Sequence, residues 1–535
     1  MIQISDTTLR DGAQAEGVTF SPDDKIQVVR ALDELGVQWI EAGNPGANPM
    51  DALFFERIRN EPALPHAKLV AFGSTCRAGN APSNDQALIT LSHCSAETVT
   101  IFGKTSAFHV DHVLHCTLEE NLRMIRDSIA FLVSSGKTVW YDAEHFFDGW
   151  KQNKDYSRKT IMTAIEAGAS RVILCDTNGG SFPEDITDAI LEIKQDSKVP
   201  LGIHCHNDCG LATANTLAAL DAGCDLIQGT IGGVGERCGN ADLCTLIPLL
   251  ELKKHKACLP DGNLNRLTHT SRVIFEVMNL SPNEGAPFIG YSAFAHKGGM
   301  HIDAVIKDQT TYEQIDPESV GNQRRFLLSD QSGRAGIYAR LGKLLPDLNR
   351  DSSEIQRIIN KLHQAESIGY TYENADGSFE LLALDTIGRM PHFFKVLDYH
   401  VLCHYPYDAA ENKNQPSAQA YLKVQVAHQE GINAAEGDGP VNALDLALRK
   451  TLSQFYPSLK KMRLKDFKVR VLTAKGTASA VRVSIESTDG VHIWNTVGVS
   501  KDIIQASLNA LTDSVNYMLT KYVPLEEIHS AAHSL

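Results

Sequence analysis

Two histidines two residues apart, in Gly202-Ile203-His204-Cys205-His206-Asn207-Asp208, close an apolar run with the pattern of a β-strand. Residues i and i+2 of a strand face the same side, so His204 and His206 can offer both imidazoles to one point, the spacing of a metal-ligand pair. A pair of this kind can equally be two satisfied core or surface histidines. The stretch Met1 to Gly12 shifts the balance toward chemistry, because its short strand runs into Asp6-Thr7-Thr8-Leu9-Arg10-Asp11-Gly12. That run brings together a carboxylate, a guanidinium and a tight-turn glycine. Asp11 with His204 and His206 forms a mixed oxygen and nitrogen donor set for a divalent cation, Zn²⁺, Mn²⁺ or Mg²⁺, and donor softness does not choose among them.

These groups have to be held by regular elements, and the first 250 residues alternate β-rich runs with helical patterns. The strand candidates are Ile2 to Thr7, Val37 to Ala42, Lys68 to Phe72, Thr98 to Phe102, Thr138 to Ala143, Arg171 to Asp176, Pro200 to His206 and Leu226 to Thr230. Amphipathic stretches such as Ser21 to Leu35, Thr117 to Ser134, Ser157 to Ala167 and Leu211 to Ala222 lie between them, with apolar residues at three and four spacing. Ser21-Pro22-Asp23-Asp24 is a helix start, with a capping serine, a first-turn proline and carboxylates at the positive end of the dipole. Eight β/α units imply a parallel sheet closed into a (β/α)8 TIM barrel. An open doubly wound sheet is the alternative, but no glycine-rich phosphate fingerprint follows the first strand. In a barrel the site lies at the C-terminal ends of the strands, which is where Arg10, Asp11, Glu41, Asn44, Asp142, Glu144, Asp176, Thr177, His204 and His206 fall. The eighth strand runs into a glycine-dense loop, Gly229 to Asn240, whose glycines could also serve only to make a turn.

Composition excludes several classes. The 535-residue chain is long enough for two or three domains, and 21% charged with 43% hydrophobic residues is the profile of an ordinary globular protein. A formal charge of -15 argues against nucleic-acid or anionic-membrane binding, which needs clustered Lys and Arg. Apolar runs fall short of a membrane span, and a first strand beginning at Ile2 leaves no room for a signal peptide, so a cytoplasmic location is expected. Eleven cysteines without CxxC spacing read as reduced residues, with Cys205 and Cys209 serving as packing beside the histidines.

Four motifs in order carry a family resemblance: Asp6 to Gly12, His204 to Asp208, Gly235-Glu236-Arg237-Cys238-Gly239-Asn240 and Ala295-His296-Lys297-Gly298-Gly299-Met300-His301. Together they resemble the Claisen-condensing acyltransferases typified by 2-isopropylmalate, homocitrate and citramalate synthases, over nearly the whole chain. Ala42 to Pro49 and Phe72 to Gly79 most resemble the branch that builds an isoleucine precursor, citramalate, from pyruvate. The resemblance implies acetyl-CoA as co-substrate and a cation chelated by a 2-oxo acid, with Asn240 as a fourth ligand beside Asp11, His204 and His206. As a bare residue, Asn240 could equally cap the turn after Gly239. Arg10 beside Asp11 can steady negative charge on the reacting oxygens, or pair with a neighbouring strand carboxylate. Glu144 alternates with Asp142 toward the rim, where the family places a catalytic carboxylate. Thr177 is placed to hydrogen-bond the 2-oxo acid carboxylate, or to finish a strand-end turn. The Hmg-CoA-lyase type of carbon–carbon cleavage, with Cys238 in the loop, and a catalytically dead amino-acid sensor are the competing readings.

Beyond Leu250 the alternation stops. Asn263 to Met278 reads as a helix and Ser281 to Gly290 as a loop leaving the barrel, which suggests a catalytic barrel at 1–262, linker subdomains at 263–412 and a terminal domain at 413–535. By resemblance alone, His301 and Tyr312 reach the active site of a partner subunit and assist proton transfer. Gly321 to Arg325 and Ser329 to Arg334 continue the family pattern, and Asn412 to Ser417 suits a linker. Two weakly similar units follow, with β-patterned runs at Ala420 to Ala427, Val481 to Ser487 and His492 to Val499 leading to helices at Pro440 to Leu452 and Lys501 to Leu519. This α+β region implies, through the family, homodimerisation and binding of the end-product amino acid isoleucine; a purely structural dimerisation role is the alternative.

Overall fold

The computed structural model describes residues 2–327, 334–342, 344–349, 352–404, 417–472, 479–524 and 526–528. Two compact units divide the chain: Met1–Phe294 with Glu313–Arg324, and Ala295–Tyr312 with Arg325–Leu535. In the first, eight parallel strands close in chain order into a barrel: β1 (Gln3–Asp6), β2 (Trp39–Glu41), β3 (Lys68–Ser74), β4 (Thr98–Lys104), β5 (Thr138–Glu144), β6 (Arg171–Asp176), β7 (Leu201–Cys205) and β8 (Leu226–Gly229). All eight expected strands are present. Ser21 caps the helix Pro22–Leu35 as its sequence predicts: Asp24 N–H donates to Ser21 Oγ at 3.2 Å, and Ser21 N–H donates to Asp24 Oδ2 at 2.8 Å.

Strand alternation sorts the barrel into two cores. Outward residues such as Val99, Ile101, Val139, Tyr141, Val172 and Leu174 pack with the surrounding helices. Inward, Trp39, Val70, Trp140, Ile173, Cys175 and Leu226 form a separate apolar plug, with the Trp39 and Trp140 rings edge to face at 4.7 Å. Burying each such large apolar side chain contributes about 1.5–3 kcal/mol. Two residues further along β2, β3, β5 and β8 the inward positions become Glu41, Phe72, Asp142 and Gln228, and His204 of β7 stands in register with Gln228. The floor of the barrel is thus dry and its upper interior polar, by the period of 2 alone.

The first unit also includes the helix Leu267–Val277 and extends through the loop expected at Ser281 to Gly290, as far as Phe294. The second unit opens with a short parallel pair, β9 (Ala295–His296) and β10 (Arg325–Phe326), and the helix Gly299–Lys307. Helices Arg334–Leu341, Ser353–Ser367 and Asp376–Thr386 then pack through Ile337, Ile358, Leu362 and Phe379. The terminal region is a repeat, as expected, of three antiparallel strands and a helix. β11 (Lys395–His404), β12 (Ser417–Val426) and β13 (Gln429–Gly437) precede the helix Pro440–Leu452, and β14 (Arg463–Val471), β15 (Val481–Thr488) and β16 (Ile493–Ser500) precede Ile503–Lys521. Both repeats share one core containing Leu422, Val424, Leu448, Val483, Ile485, Leu511 and Val515.

Sequence reading missed the first strand of each repeat and also β13, the third strand of the first repeat. β14 is an edge strand whose charged, mostly exposed residues mask the alternation, and β11 likewise exposes Leu397 and Leu402. The expected motif residues 329–333 and the expected linker residues 412–416 lie outside the described residues. All eleven cysteines are free, and Cys205 is buried packing as expected. Cys209 is not: it lies exposed in the turn after β7. Among the described residues no helix is long and apolar enough to cross a membrane.

Candidate active site

The motif after β1 is built around its own hydrogen bonds. Thr8 N–H donates to Asp6 Oδ1 and Thr8 Oγ to Asp6 Oδ2, both at 2.9 Å, while Ile231 N–H donates to Thr8 Oγ at 2.9 Å and ties the turn to the loop after β8. The buried Lys25 ammonium pins the neighbouring loops, donating to Leu9 O at 3.0 Å, Ala42 O at 2.6 Å and the Asp51 carboxylate at 2.7 Å. These contacts fix the backbone on both sides of Arg10 and Asp11.

Asp11, His204 and His206 converge as their sequence spacing predicts: all three are buried, and one ligating atom of each lies within 4.8 Å of the others. His204 Nε2 is 3.7 Å from Asp11 Oδ2, and the two imidazole centroids are 5.0 Å apart. His204 belongs to β7, whereas His206 stands just past its end and is held by a backbone bridge to Asn240. The glycine loop folds back onto that strand end, with Asn207 N–H donating to Gly239 O at 2.9 Å and Ala241 N–H to Cys205 O at 3.0 Å. Gly239 is obligatory there: its φ is +85°, and a Cβ would fall 2.0 Å from Gly233 O.

The donor set fits a divalent cation. Burial pushes the His204 imidazole down to about 3 and His206 in the same direction, which keeps both rings neutral and able to ligate. Burial works against an ionised Asp11, but its neighbours, foremost the Arg10 guanidinium and with a Thr7 hydrogen bond, outweigh it and hold the carboxyl below its ordinary range. His206 Nδ1 and Asn240 Oδ1 are buried without a hydrogen-bond partner. Since Asn240 Nδ2 already donates to Val234 O at 3.1 Å, its amide oxygen is the free end. Buried unpaired acceptors are costly, and a cation is what such a set satisfies.

Arg10 does pair with a neighbouring strand carboxylate: its Nε donates to Glu41 Oε1 at 2.7 Å, and it bonds Asp11 as well. Its guanidinium carbon stands 4.0 Å over the centroid of the Phe72 ring, which stacks on Phe102 at 5.5 Å. Burial disfavours its charge, yet Asp11, Glu41 and Asp142 more than restore it. Glu144 ends β5 in register with Lys104 of β4, whose Nζ lies 2.5 Å from Glu144 Oε2. Thr177 Oγ accepts from His145 N–H at 2.8 Å, leaving its own proton to donate. His301 and Tyr312 lie in the second unit and stack on each other at 4.2 Å between centroids. Sequence reasoning assigned no role to Glu41, Phe72, Phe102 or Lys104. Their signal was period 2 along β2, β3 and β4, which sets them on the inward face two residues beyond the apolar plug or further.

Three family models tile the chain: HMGL-like over residues 1–274, Homocitrate synthase post-HMGL domain-like over 288–369, and LeuA allosteric (dimerisation) domain over 373–519. An (R)-citramalate synthase of Geobacter sulfurreducens is 46% identical over 98% of this chain and 99% of its own length. One from Synechocystis sp. is 45% identical over 96% of this chain and 95% of its own length. A probable 2-isopropylmalate synthase of Methanopyrus kandleri is 30% identical over 96% of this chain and 98% of its own length. With the HMGL-like barrel, both following domains and this end-to-end similarity, the chain belongs to the (R)-citramalate synthase family.

Proposed function

We propose that this enzyme condenses acetyl-CoA with pyruvate and water to give (R)-citramalate and free CoA, for isoleucine synthesis in the cytoplasm. The observation that carries the reading is the Asp11, His204 and His206 cluster beside Arg10, on the C-terminal rim of the barrel where Glu144 also ends its strand. Asp11, His204, His206 and the free amide oxygen of Asn240 would hold the divalent cation, which when bound polarises the ketone of the 2-oxo acid.

The residues of the chain have distinct tasks. Glu144 accepts a proton from the acetyl methyl group, and the resulting enolate carbon forms a bond to the ketone carbon of pyruvate. The ketone oxygen gains a proton to become the hydroxyl of citramalate, and water then cleaves the thioester, releasing CoA as the thiol. Arg10, fixed by Glu41 and the Phe72 ring, steadies negative charge on the reacting oxygens. Thr177 donates its free hydroxyl proton to the pyruvate carboxylate. His301 and Tyr312, reaching the site from a partner subunit in a homodimer, assist proton transfer. Isoleucine acts as a feedback inhibitor through the terminal repeats.

Every 2-oxo acid offers the same chelating pair, so selectivity must come from the pocket around the side chain. The stacked Phe72 and Phe102 rings beside Arg10 favour the small methyl group of pyruvate. The test is kcat/KM for pyruvate, 2-oxobutanoate, 2-oxoisovalerate and 2-oxoglutarate, read as CoA release from acetyl-CoA. Preference for pyruvate supports the reading; preference for 2-oxoisovalerate would make the enzyme a 2-isopropylmalate synthase.

A further inference from the structure

We propose that Arg237 is a positioning residue, a clasp that locks together the three rim loops carrying Thr177, His206 and Asn240; the inference rests on the site reading above. Arg237 follows β8, yet its Nε donates to Asp208 Oδ1 and its NH2 to Asp208 Oδ2, both at 2.9 Å, in the loop after β7. The same NH2 donates to Thr177 O at 2.8 Å, in the turn after β6. One guanidinium therefore spans three consecutive loops, and its planar fork supplies the bidentate geometry that a lysine lacks.

Two independent features support the assignment. First, Arg237 has φ of +55°, a left-handed conformation that a non-glycine residue adopts at a cost. Second, the loops meet too closely for an ordinary side chain: a Cβ on Gly179, two residues after Thr177, would fall 2.6 Å from Asp208 Oδ2 and 2.9 Å from His206 O. The ion pair itself is partly solvent-exposed, 43% for Arg237 and 25% for Asp208, so it contributes little to global stability. A strained residue in a weak ion pair is better explained by the positions it sets. It holds Thr177 two residues from the Gly179 contact, His206 two residues from Asp208, and Asn240 three residues from itself.

The experiment compares Arg237→Ala, Arg237→Lys, Asp208→Asn and the Arg237→Ala/Asp208→Asn double variant with wild type, with His204→Ala as the inactive control. The readouts are Mn²⁺ affinity of the chelator-treated protein, KM for pyruvate and for acetyl-CoA, and melting temperature. Loss of the clasp should weaken Mn²⁺ binding by about 10- to 100-fold, as for other residues that orient metal ligands. It should raise KM for pyruvate while leaving KM for acetyl-CoA and the melting temperature unchanged. Lysine should fail to rescue, and the double variant should be no worse than either single one. Unchanged Mn²⁺ affinity and pyruvate KM in Arg237→Ala, full rescue by lysine, or a parallel fall in every readout including melting temperature would each overturn the clasp. If wild type bound Mn²⁺ but did not condense pyruvate, the functional reading would fail, and the Mn²⁺ titrations would still decide the clasp.

Discussion

Lys104→Met removes the charged partner that the salt-bridge geometry gives Glu144 among the described residues, at nearly constant side-chain volume. With Lys104 15% and Glu144 23% exposed, the pair lies between two limits. Exposed pairs contribute about 0–1 kcal/mol, and breaking a buried pair costs about 3–5 kcal/mol. An intermediate value of about 2 kcal/mol corresponds to about a 30-fold fall in kcat, if the interaction serves the transition state. Glu144→Gln, which removes the base itself, should lower kcat by about 10²–10⁴-fold and leave bound metal intact. Because Lys104 is held to act through Glu144, the double variant should be no slower than Glu144→Gln alone. The assay is CoA release at saturating pyruvate and acetyl-CoA. Wild-type kcat in Lys104→Met, or losses that multiply in the double variant, would refute the argument that this lysine sets the working state of Glu144.

His204→Ala should abolish turnover and strip bound metal while the melting temperature of the metal-free protein holds, because the apolar clusters of the barrel are untouched. Asp11→Ala should also abolish turnover and strip metal, but it takes from the buried Arg10 one of its two carboxylate partners and should lower the melting temperature; metal analysis and calorimetry check this. Phe102→Ala should shift relative kcat/KM from pyruvate toward 2-oxoisovalerate, by about 10-fold or more if each methylene contributes about 1–3 kcal/mol; an unchanged ratio would remove the aromatic pair from the specificity pocket. Asp6 is buried, and burial pushes its carboxyl up to about 7 against the opposing Thr8 hydrogen bonds. The folded state therefore binds this proton more tightly than the unfolded chain, and its stabilising contribution fades as pH rises from about 4 to about 7. Asp6→Asn should remove that loss, so the melting temperature of the variant minus wild type should rise between pH 5 and pH 8; a flat or falling difference would contradict it.

Much of the barrel was legible because parallel strands buried on both faces have apolar runs that few other elements share. The site was legible where two strong periodicities coincided, as at His204 and His206 and at Asp142 and Glu144. Sequence could not reveal pairings across strands. Lys104 meets Glu144 through the register of β4 with β5, and Glu41 meets Arg10 across 31 positions of chain. Nor could composition expose Arg237, whose role depends on two loops brought together by barrel closure. The edge strands β11 and β14 escaped notice for the opposite reason: solvent on one side lets charged residues replace the apolar alternation that marks a buried strand.

The interior charge also bears on why Asp11, His204 and His206 form a candidate cation site. Asp11, Glu41 and Asp142 crowd one buried guanidinium, Arg10, above an apolar floor. Burial pushes Glu41 upward and Asp142 well above its ordinary value, with Asp11 raising Glu41 further and Glu41 raising Asp142 further by repulsion. Proton retention by these two carboxyls relieves the repulsion and leaves the ionised Asp11 paired with Arg10, in a place where an unpaired charge is expensive. Asp11, the two neutral imidazoles and the free amide oxygen of Asn240 then form a donor set that a divalent ion would satisfy. Glu41 fixes the Arg10 guanidinium beside Asp11, next to that donor set.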